Sequence, residues 1–351
     1  MAERPAAARP VASLSDLQAL PKTELHLHLR GAIPLSFLRS RLRRRPPAAA
    51  LQAAPPGHLR LFSKHPGIGD ILEAADPAAE LDRLFRYRNF EQFLAAYLFT
   101  VHFVRNIDDF RELVGGVRAG FGEQRITYAE VTVSIPEYVE QGLQLAEILE
   151  VLAQDPPGGP TVRWIVDPVR GYGPAKAEAH LEQVALRRPP TLVGVTLGGA
   201  EHLFPNRNFS RAYEIAREAG LRTTVHAGEA SGPESVWQAV QTLQVERIGH
   251  GVRAIEDPSL VRHLAERGIP LEICPTSNVR TGVYRSLEEH PARDLFEAGV
   301  QMSINTDDPT FFGISLAEEL AGLRKLGFSW PEIDGLARGA CRFAFAPARA
   351  Q

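Results

Sequence analysis

The chain has 351 residues, of which 44% are hydrophobic, and a formal net charge of −3. This length permits two domains or one large α/β barrel, and the near-neutral charge gives no sign of nucleic acid or an anionic membrane surface as a partner. The two cysteines, Cys274 and Cys341, exclude a disulfide scaffold and a multi-cysteine zinc site, and they fit a reducing cytoplasm.

The N-terminal residues 1–14 contain no apolar segment of the kind found in a signal peptide, and we expect a mobile tail there. No run of about 18 apolar residues, the length required for a membrane span, occurs anywhere in the chain. We therefore expect a cytoplasmic protein without a membrane partner. A short helix or turn over Ser15–Leu20 leads into the first predicted strand.

The stretch Glu24–Gly31 alternates polar and apolar residues over the length of a strand. Successive side chains of a strand point to opposite faces, so the leucines share one face and His26, His28 and Arg30 share the other. Two histidines on one face can bind a single metal ion. The alternative is a half-buried strand whose histidines are satisfied by ordinary hydrogen bonds.

Residues 34–122 contain no convincing strand and predict a mostly helical insertion after the first strand. Helices are expected over Leu35–Arg45, Phe90–Ile107 and Asp108–Gly120, with a loop over Arg45–Gly57. The insertion is rich in aromatic residues that either form its core or cover a bound ligand, and we expect the core role. They include Phe62, Phe90, Phe93, Tyr97, Phe99 and Phe103.

Strands and helices alternate regularly after residue 125. With the first strand, the eight predicted strands are Glu24–Leu29, Ile126–Ser134, Val162–Asp167, Leu192–Leu197, Arg222–His226, Arg247–Gly251, Pro270–Cys274 and Gln301–Thr306. Repeated βα units indicate a parallel sheet, and eight of them predict a closed (β/α)₈ TIM barrel. We find no repeat and no linker, so residues 15–351 are expected to form a single domain.

Polar residues follow the predicted strands at the end where such a barrel places its active site. They include four histidines, two glutamates and two aspartates: His26, His28, Glu201, His226, Glu229, His250, Asp307 and Asp308. Three or four nitrogen and oxygen ligands with an open position are what a catalytic zinc requires, and zinc lowers the pKa of bound water toward neutrality. Taken singly, Glu229 or the two aspartates have a structural alternative, which is to cap the next helix.

Five motifs together resemble the adenosine deaminase family of metal-dependent hydrolases. They are Leu-Pro-Lys-Thr-Glu-Leu-His-Leu-His-Leu-Arg-Gly (20–31), Val-His-Ala-Gly-Glu (225–229), Arg-Ile-Gly-His-Gly (247–251), Cys-Pro-Thr-Ser-Asn (274–278) and Asn-Thr-Asp-Asp-Pro (305–309). The resemblance implies a hydrolase that replaces the 6-amino group of a purine by oxygen and releases ammonia. It also implies a small-molecule substrate and one Zn²⁺ per chain, although nitrogen and oxygen ligands leave iron and manganese open.

The resemblance further implies a role for each matching residue. The metal ligands would be His26, His28, His226 and Asp307. The catalytic residues would be Glu229, His250 and Asp307. Glu229 would donate a proton to N1 of the purine, and His250 would orient the attacking water and stabilise the charge that develops. The substrate-binding residues would be Arg30, His28, Gly199 and Asp308, with the N–H of Gly199 facing N3 and Asp308 facing N7.

Arg30 departs from the family pattern, which usually has an aspartate there to bind the ribose 5′-hydroxyl. The family's usual acidic pattern after the fourth strand is also missing from residues 196–200. The planar guanidinium suits a carboxylate or phosphate, so we expect Arg30 to meet an anionic 5′ extension of the substrate. The alternative is that Arg30 pairs with an acid of the protein such as Glu201.

The His-Leu-Arg-Gly variant is similar to that of the 6-aminodeoxyfutalosine deaminases of the futalosine route to menaquinone, whose adenine nucleoside substrate carries a benzoate-containing 5′ chain. Two alternatives remain open. One is an adenosine or adenine deaminase of purine salvage. The other is a barrel that binds nucleosides without turnover, which predicts an incomplete metal set. The sequence does not indicate an oligomeric state.

Overall fold

The barrel strands run parallel to their neighbours, as the alternating pattern predicts. A computed structural model describes residues 10–44, 51 and 54–346. Within those residues the strands are β1 (Lys22–His28), β2 (Ile126–Val133), β3 (Thr161–Val166), β4 (Leu192–Val195), β5 (Arg222–Thr223), β6 (His226–Ala227), β7 (Ile248–His250), β8 (Leu271–Ile273) and β9 (Met302–Ile304). The first five pair in chain order as one sheet and the last four as a second.

The strands β5 and β6 together occupy one position of the barrel, where the sequence predicts the single strand Arg222–His226. The two residues between them keep the hydrogen-bond pattern of a strand. The N–H of Thr224 donates to the carbonyl of Val195 at 2.9 Å, and the carbonyl of Val225 accepts from the N–H of Gly249 at 2.8 Å. The first sheet therefore passes into the second without a gap.

The other edges of the two sheets meet through β1 and the residues after β9. Leu27 and Asp307 form an isolated parallel bridge. The N–H of His28 donates to the carbonyl of Asp307 at 2.9 Å, and the N–H of Asp307 donates to the carbonyl of His26 at 3.0 Å. This contact closes the ring of eight positions, so the predicted (β/α)₈ architecture is confirmed.

Helices cover the outside of the barrel and form the insertion after β1. The described α-helices are Leu14–Ala19, Leu35–Arg44, Pro56–Phe62, Pro66–Glu73, Phe90–Val101, Ile107–Glu123, Ile135–Glu140, Leu145–Leu152, Pro174–Ala185, Ser210–Glu218, Pro233–Gln238, Pro258–Arg267, Pro275–Arg280, Ala292–Glu297, Pro309–Phe312, Leu316–Gly322 and Trp330–Gly339. None of them is long and apolar enough to span a membrane within the described ranges.

The N-terminal region differs from the expected tail over residues 1–14. Residues 1–9 lie outside the described part of the chain, but Val11 is buried in the main core. Ser13 caps the first helix by accepting a hydrogen bond from the N–H of Asp16 at 3.2 Å. Residues 11–14 thus belong to the folded domain. Much of the loop predicted over Arg45–Gly57 also lies outside the described residues, and a helix begins at Pro56.

The first strand is buried on both faces, which contradicts the alternative of a half-buried strand. Leu25 and Leu27 are each 2% exposed, and His26 on the opposite face is 4% exposed. In a (β/α)₈ barrel, one face of each strand packs against the helices and the other against the barrel interior. The alternating polarity of β1 therefore distinguishes two buried environments, the face toward the helices and the face toward the barrel interior.

Candidate active site

His26 is held in place by a chain of charged groups inside the barrel. Its Nδ1 lies 2.7 Å from Oε2 of Glu272 on β8. The other carboxylate oxygen of Glu272 accepts hydrogen bonds from Nε of Arg247 at 2.6 Å and from the hydroxyl of Thr224 at 3.1 Å. Burial opposes the charge on Glu272, but Arg247 and His26 lower its pKa to about 2. The carboxylate therefore accepts the Nδ1–H of His26, which leaves Nε2 facing the centre of the site.

Three more candidate ligands face the same point. Nε2 of His28 lies 3.3 Å from Nε2 of His226 and 3.2 Å from Oδ1 of Asp307. Asp307 also lies 3.5 Å from Nε2 of His26 through the same oxygen. Its second oxygen accepts a hydrogen bond of 2.6 Å from the hydroxyl of Ser277. The structure thus brings together all four predicted ligands, which come from three widely separated parts of the sequence.

His250 lies beside these candidate ligands. By distance alone, either His250 or His28 could belong to the ligand set. One set of donor atoms within 4.8 Å of one another belongs to His26, His226, His250 and Asp307. The outer nitrogens of the rings differ, however: His26 contacts a carboxylate, whereas Nδ1 of His250 lies 3.1 Å from the amide nitrogen of Asn278.

The cluster fits a bound divalent cation. Nε2 of His26 and Nε2 of His250 are buried without a hydrogen-bond partner among the described residues. Buried polar atoms of this kind are nearly always satisfied, so their convergence indicates a group that occupies the space between them. Imidazole nitrogens with one carboxylate oxygen are a ligand set typical of catalytic zinc. The cluster is therefore a candidate metal centre.

Two residues of the site have left-handed backbone conformations that only glycine adopts readily. The φ angle is 58° for His250 and 62° for Asp307. Such conformations cost on the order of 1–3 kcal/mol at a non-glycine residue and are concentrated at functional sites. His250 is the last residue of β7, and Asp307 lies three residues beyond the end of β9.

Glu229 lies at the edge of the metal cluster, on the loop that follows β6. Its Oε2 is 3.6 Å from Nε2 of His250. Burial, together with the carboxylates of Asp307 and Glu201, raises the pKa of Glu229 to about 8. The raised pKa favours the protonated carboxyl, which is the form that a general acid needs.

Glu201 holds the loop that carries Glu229, a role that the sequence did not reveal. Its carboxylate accepts hydrogen bonds from the backbone N–H groups of Gly228 at 2.7 Å, Ala230 at 2.9 Å and Ser231 at 3.0 Å, with a longer one of 3.3 Å from Glu229. The sequence named Glu201 as an example of a protein acid that could pair with Arg30. Glu201 is not that acid.

A cavity of about 320 Å³ opens next to the cluster, and this volume lies within the usual range of ligand pockets. Asp308 and Gly199 both line it. Burial and the neighbouring Asp307 raise the pKa of Asp308 well above its usual range, and its Oδ1 has no hydrogen-bond partner among the described residues. Gly199 has a φ of +102°, which disfavours other residues there.

The aromatic side chains of the insertion divide between core and cavity. Phe62, Phe99 and Phe103 are buried in the core, as expected. Phe93 is also buried in the core, but it lines the cavity as well, together with Phe90, Tyr97, Leu94 and Leu98. Helical spacing alone could not separate the two groups, because both faces of the helix Phe90–Val101 are apolar.

Comparison with known proteins decides the family. The family model described as adenosine deaminase matches residues 53–351. The chain belongs to the adenosine deaminase family. It is 35% identical to an aminodeoxyfutalosine deaminase from Streptomyces avermitilis over 342 residues, which cover 94% of this chain and 88% of the relative. An adenine deaminase from Sinorhizobium fredii is also 35% identical, with 93% of this chain and 94% of that protein covered.

A solved structure agrees with these relatives. The crystal structure of an adenine deaminase from Arthrobacter aurescens superposes with a TM-score of 0.78 at 27% identity, covering 93% of this chain and 94% of that one. As a member of the adenosine deaminase family, the chain is an enzyme that hydrolytically deaminates adenine-type substrates. The alternative of a binding protein without turnover is therefore wrong.

Arg30, where this chain departs from the expected adenosine deaminase pattern, is paired within the protein. Its guanidinium forms an ion pair with Glu137 and lies 4.2 Å from the ring centroid of Tyr97. Glu137 and Tyr97 line the cavity, whereas Arg30 is 3% exposed and lies behind them. This arrangement matches the alternative that Arg30 pairs with an acid of the protein, and that acid is Glu137.

Arg170, like Glu201, has a role in the site that the sequence did not reveal. Its buried guanidinium donates to the carbonyls of Leu197 at 2.9 Å, His226 at 2.8 Å and Phe204 at 2.8 Å. It thereby joins the residues after β4 to the backbone of the candidate ligand His226 on β6. An arginine outside any recognised motif gives no sequence signal for such a role.

Proposed function

We propose that this enzyme deaminates an adenine nucleoside with an extended 5′ side, of the 6-aminodeoxyfutalosine type, to a futalosine-type product and ammonia in menaquinone biosynthesis. The observation that carries the proposal is the apolar wall of Phe90, Phe93 and Tyr97 beside the histidine cluster. An aromatic tail attached to the nucleoside would pack against such a wall. The aminodeoxyfutalosine deaminases of two Streptomyces species, at 35% and 34% identity, support it.

The metal is proposed to be one zinc ion held by His26, His28, His226 and Asp307. When bound, the ion acts as a Lewis acid that lowers the pKa of a water molecule toward neutrality. A relative in the same fold, a Burkholderia amidohydrolase whose crystal structure contains bound Zn, superposes with a TM-score of 0.76 at 24% identity. Glu272 supports metal binding by His26, because it holds the Nδ1–H of the ring and keeps Nε2 available.

The residues around the cavity would act on the purine as follows. Protonated Glu229 donates to N1, which makes C6 electrophilic, and His250 stabilises the charge that develops as water adds there. The protonated carboxyl of Asp308 donates to N7, and the N–H of Gly199 donates to N3. One proton of the added water then goes to the amino nitrogen and the other returns to Glu229, so that the bond from C6 to this nitrogen breaks, ammonia leaves, and a 6-oxopurine remains.

Arg30 would contact the substrate only after its internal partner moves. In our proposal, an anionic group at the 5′ end takes the place of the Glu137 carboxylate on the guanidinium. The buried Nε and Nη1 of Arg30 have no hydrogen-bond partner among the described residues, so the fork still has donors to offer. The competing possibility is that Arg30 stays paired and orients Glu137 toward a neutral hydroxyl of the substrate.

An adenine deaminase is the second candidate function. It is favoured by adenine deaminases from several bacteria at 35% identity, equal to the identity with the Streptomyces avermitilis enzyme. Free adenine would leave the apolar wall uncovered, which is why we rank this candidate second.

Turnover of a substrate panel tests the proposal. Ammonia release from aminodeoxyfutalosine, adenosine, AMP and adenine is measured with the purified enzyme, and its metal content is determined in parallel. We expect the highest kcat/KM for aminodeoxyfutalosine and close to one zinc ion per chain. A preference for adenine or adenosine would overturn the substrate assignment, and a different resident metal would overturn the zinc assignment.

A further inference from the structure

A chain of hydrogen bonds leads from a backbone amide to the outer nitrogen of His250. The N–H of Ala292 donates to Nδ1 of His290 at 3.2 Å. Nε2 of His290 lies 3.1 Å from Oδ1 of Asn278, and Nδ2 of Asn278 lies 3.1 Å from Nδ1 of His250. His290 is 3% exposed, and Asn278 and His250 are fully buried, so water does not compete for these contacts.

The backbone amide fixes the direction of every hydrogen bond in the chain. A backbone nitrogen can only donate, so Nδ1 of His290 accepts. Burial lowers the pKa of His290 to about 3, and the neutral ring must then carry its hydrogen on Nε2. The atom of Asn278 that faces this hydrogen is therefore its oxygen, and the amide nitrogen on the other side donates to Nδ1 of His250.

We propose that Asn278 and His290 are positioning residues that hold His250 in the tautomer with its hydrogen on Nε2. His250 then faces the cavity as a hydrogen-bond donor and is excluded from the metal ligands. His26 has the opposite arrangement, since Glu272 accepts from its Nδ1 and leaves the lone pair of Nε2 free. Nε2 of His26 and Nε2 of His250 lie 3.5 Å and 3.9 Å from the carboxylate of Asp307, yet the two histidines acquire different roles from the groups behind them.

The catalytic consequence rests on the proposed function. A donor beside the reacting carbon stabilises the negative charge that develops there, whereas a lone pair would repel it. A lone pair on Nε2 of His250 would also compete for the open position of the metal. A lone pair on Nε2 would therefore lower kcat, both by repelling the developing charge and by competing for the metal, and it would leave binding of the purine largely unchanged.

The tautomer is measured directly by long-range proton–nitrogen correlation spectra of protein with isotope-labelled histidine, and the His250 signals are assigned from their loss in a His250→Gln variant. We expect the hydrogen on Nε2 in the wild-type protein. In Asn278→Asp, the nearly isosteric carboxylate accepts from both rings, so we expect the hydrogen of His250 to move to Nδ1. Hydrogen on Nδ1 in the wild-type protein, or an unchanged tautomer in Asn278→Asp, would overturn the proposal.

Asn206→Asp is the matched control for the spectrum. Asn206 is as buried as Asn278, but it donates to the hydroxyl of Ser235 at 3.0 Å and accepts from Nη1 of Arg170 at 3.1 Å, so its contacts are separate from the hydrogen-bond chain that leads to Nδ1 of His250. A new buried carboxylate there should leave the tautomer of His250 unchanged. A shift in this control equal to that of Asn278→Asp would show that buried charge alone causes it, and the proposal would fail.

A pair of variants at His290 separates positioning from packing. The amide of His290→Gln can still donate to Oδ1 of Asn278, whereas His290→Phe cannot. We expect His290→Phe to mix the two tautomers and lower kcat by about 10- to 100-fold at an unchanged KM, and His290→Gln to restore both. Equal kcat and equal spectra for the two variants would contradict the role of His290. If the wild-type enzyme turned over none of the adenine substrates, the proposed function would fail, while the tautomer spectra would still decide this proposal.

Discussion

The guanidinium of Arg30 forms an ion pair with the carboxylate of Glu137, which lines the cavity beside the candidate metal ligands, whereas the guanidinium itself lies behind the cavity wall. A buried charge needs a partner, and Glu137 supplies it while no substrate is bound. Binding of an anionic substrate group to Arg30 is therefore an exchange of partners and not a simple addition. This relationship makes the substrate preference testable at two positions.

Removing the internal acid should favour substrates with an anionic 5′ group. In Glu137→Gln, the guanidinium loses its competing carboxylate, so we expect kcat/KM for AMP relative to adenosine to rise by about 10- to 100-fold, corresponding to about 1.5–3 kcal/mol for a hydrogen bond to a charged group. Arg30→Met should abolish the gain. Glu140→Gln is the control, because Glu140 is an acid of the same helix that instead accepts from the hydroxyl of Tyr172 at 2.6 Å.

The outcome that contradicts this exchange is specific. If Glu137→Gln lost activity on all substrates with an unchanged ratio between AMP and adenosine, Glu137 itself would be the group that contacts the substrate, and Arg30 would be the residue that orients it.

The activity should depend on protonation of Glu229. Burial and the nearby carboxylates raise its pKa to about 8, so the donating form predominates below that pH and is lost as the pH rises through it. A bound cation moves this limb to lower pH. We expect kcat/KM to fall on the alkaline side of a pH profile and Glu229→Gln to lower kcat by about 10²- to 10⁴-fold. A wild-type profile that stays flat from about pH 6 to about pH 10 would contradict the assignment.

The contact between Glu272 and His26 should contribute to metal affinity. Glu272→Gln keeps the size of the side chain but removes the charge that holds the Nδ1–H of His26, and we expect metal affinity to fall by about 10- to 100-fold. Competition with a chelator measures it. Glu246→Gln is the control, since Glu246 forms an exposed pair with Arg222 at the protein surface. Equal affinities for the two variants would mean that Glu272 does not support the metal.

Arg247 should be required for stability of the barrel interior. It forms ion pairs of 2.6 Å with both Glu130 and Glu272, and all three side chains are at most 2% exposed. Arg247→Met leaves two buried carboxylates without a counter-ion, so we expect the free energy of unfolding in urea to fall by about 3–5 kcal/mol.

The comparison for Arg247 is Arg222→Met, in the exposed pair of Arg222 with Glu246. Loss of that pair should cost about 1 kcal/mol or less, because solvent screens it. Similar losses for the two variants would show that the three charges in the interior contribute no more than a surface pair.

The sequence by itself determined the barrel and predicted which polar residues meet at its rim. Repeated βα units fix a parallel sheet, and polar residues at the ends of its strands must meet at one rim. Eight polar residues could therefore be placed at this rim before any distance was known, and the resemblance to the adenosine deaminase family selected His26, His28, His226 and Asp307 among them as the candidate ligands. The structure corrected the details that depend on local geometry, including residues 11–14 and the interruption between β5 and β6.

The tertiary structure alone decided what each polar group contacts. The partner of Arg30 is Glu137 because the first turn after β2 comes to lie beside the end of β1, and no pattern in the sequence specifies that contact. The same holds for Glu201 beneath the Glu229 loop and for Asn278 behind His250. A strand period shows which face a side chain occupies, but hydrogen bonds and ion pairs depend on distances of a few ångströms between residues far apart in sequence, and these distances exist only once the barrel has closed.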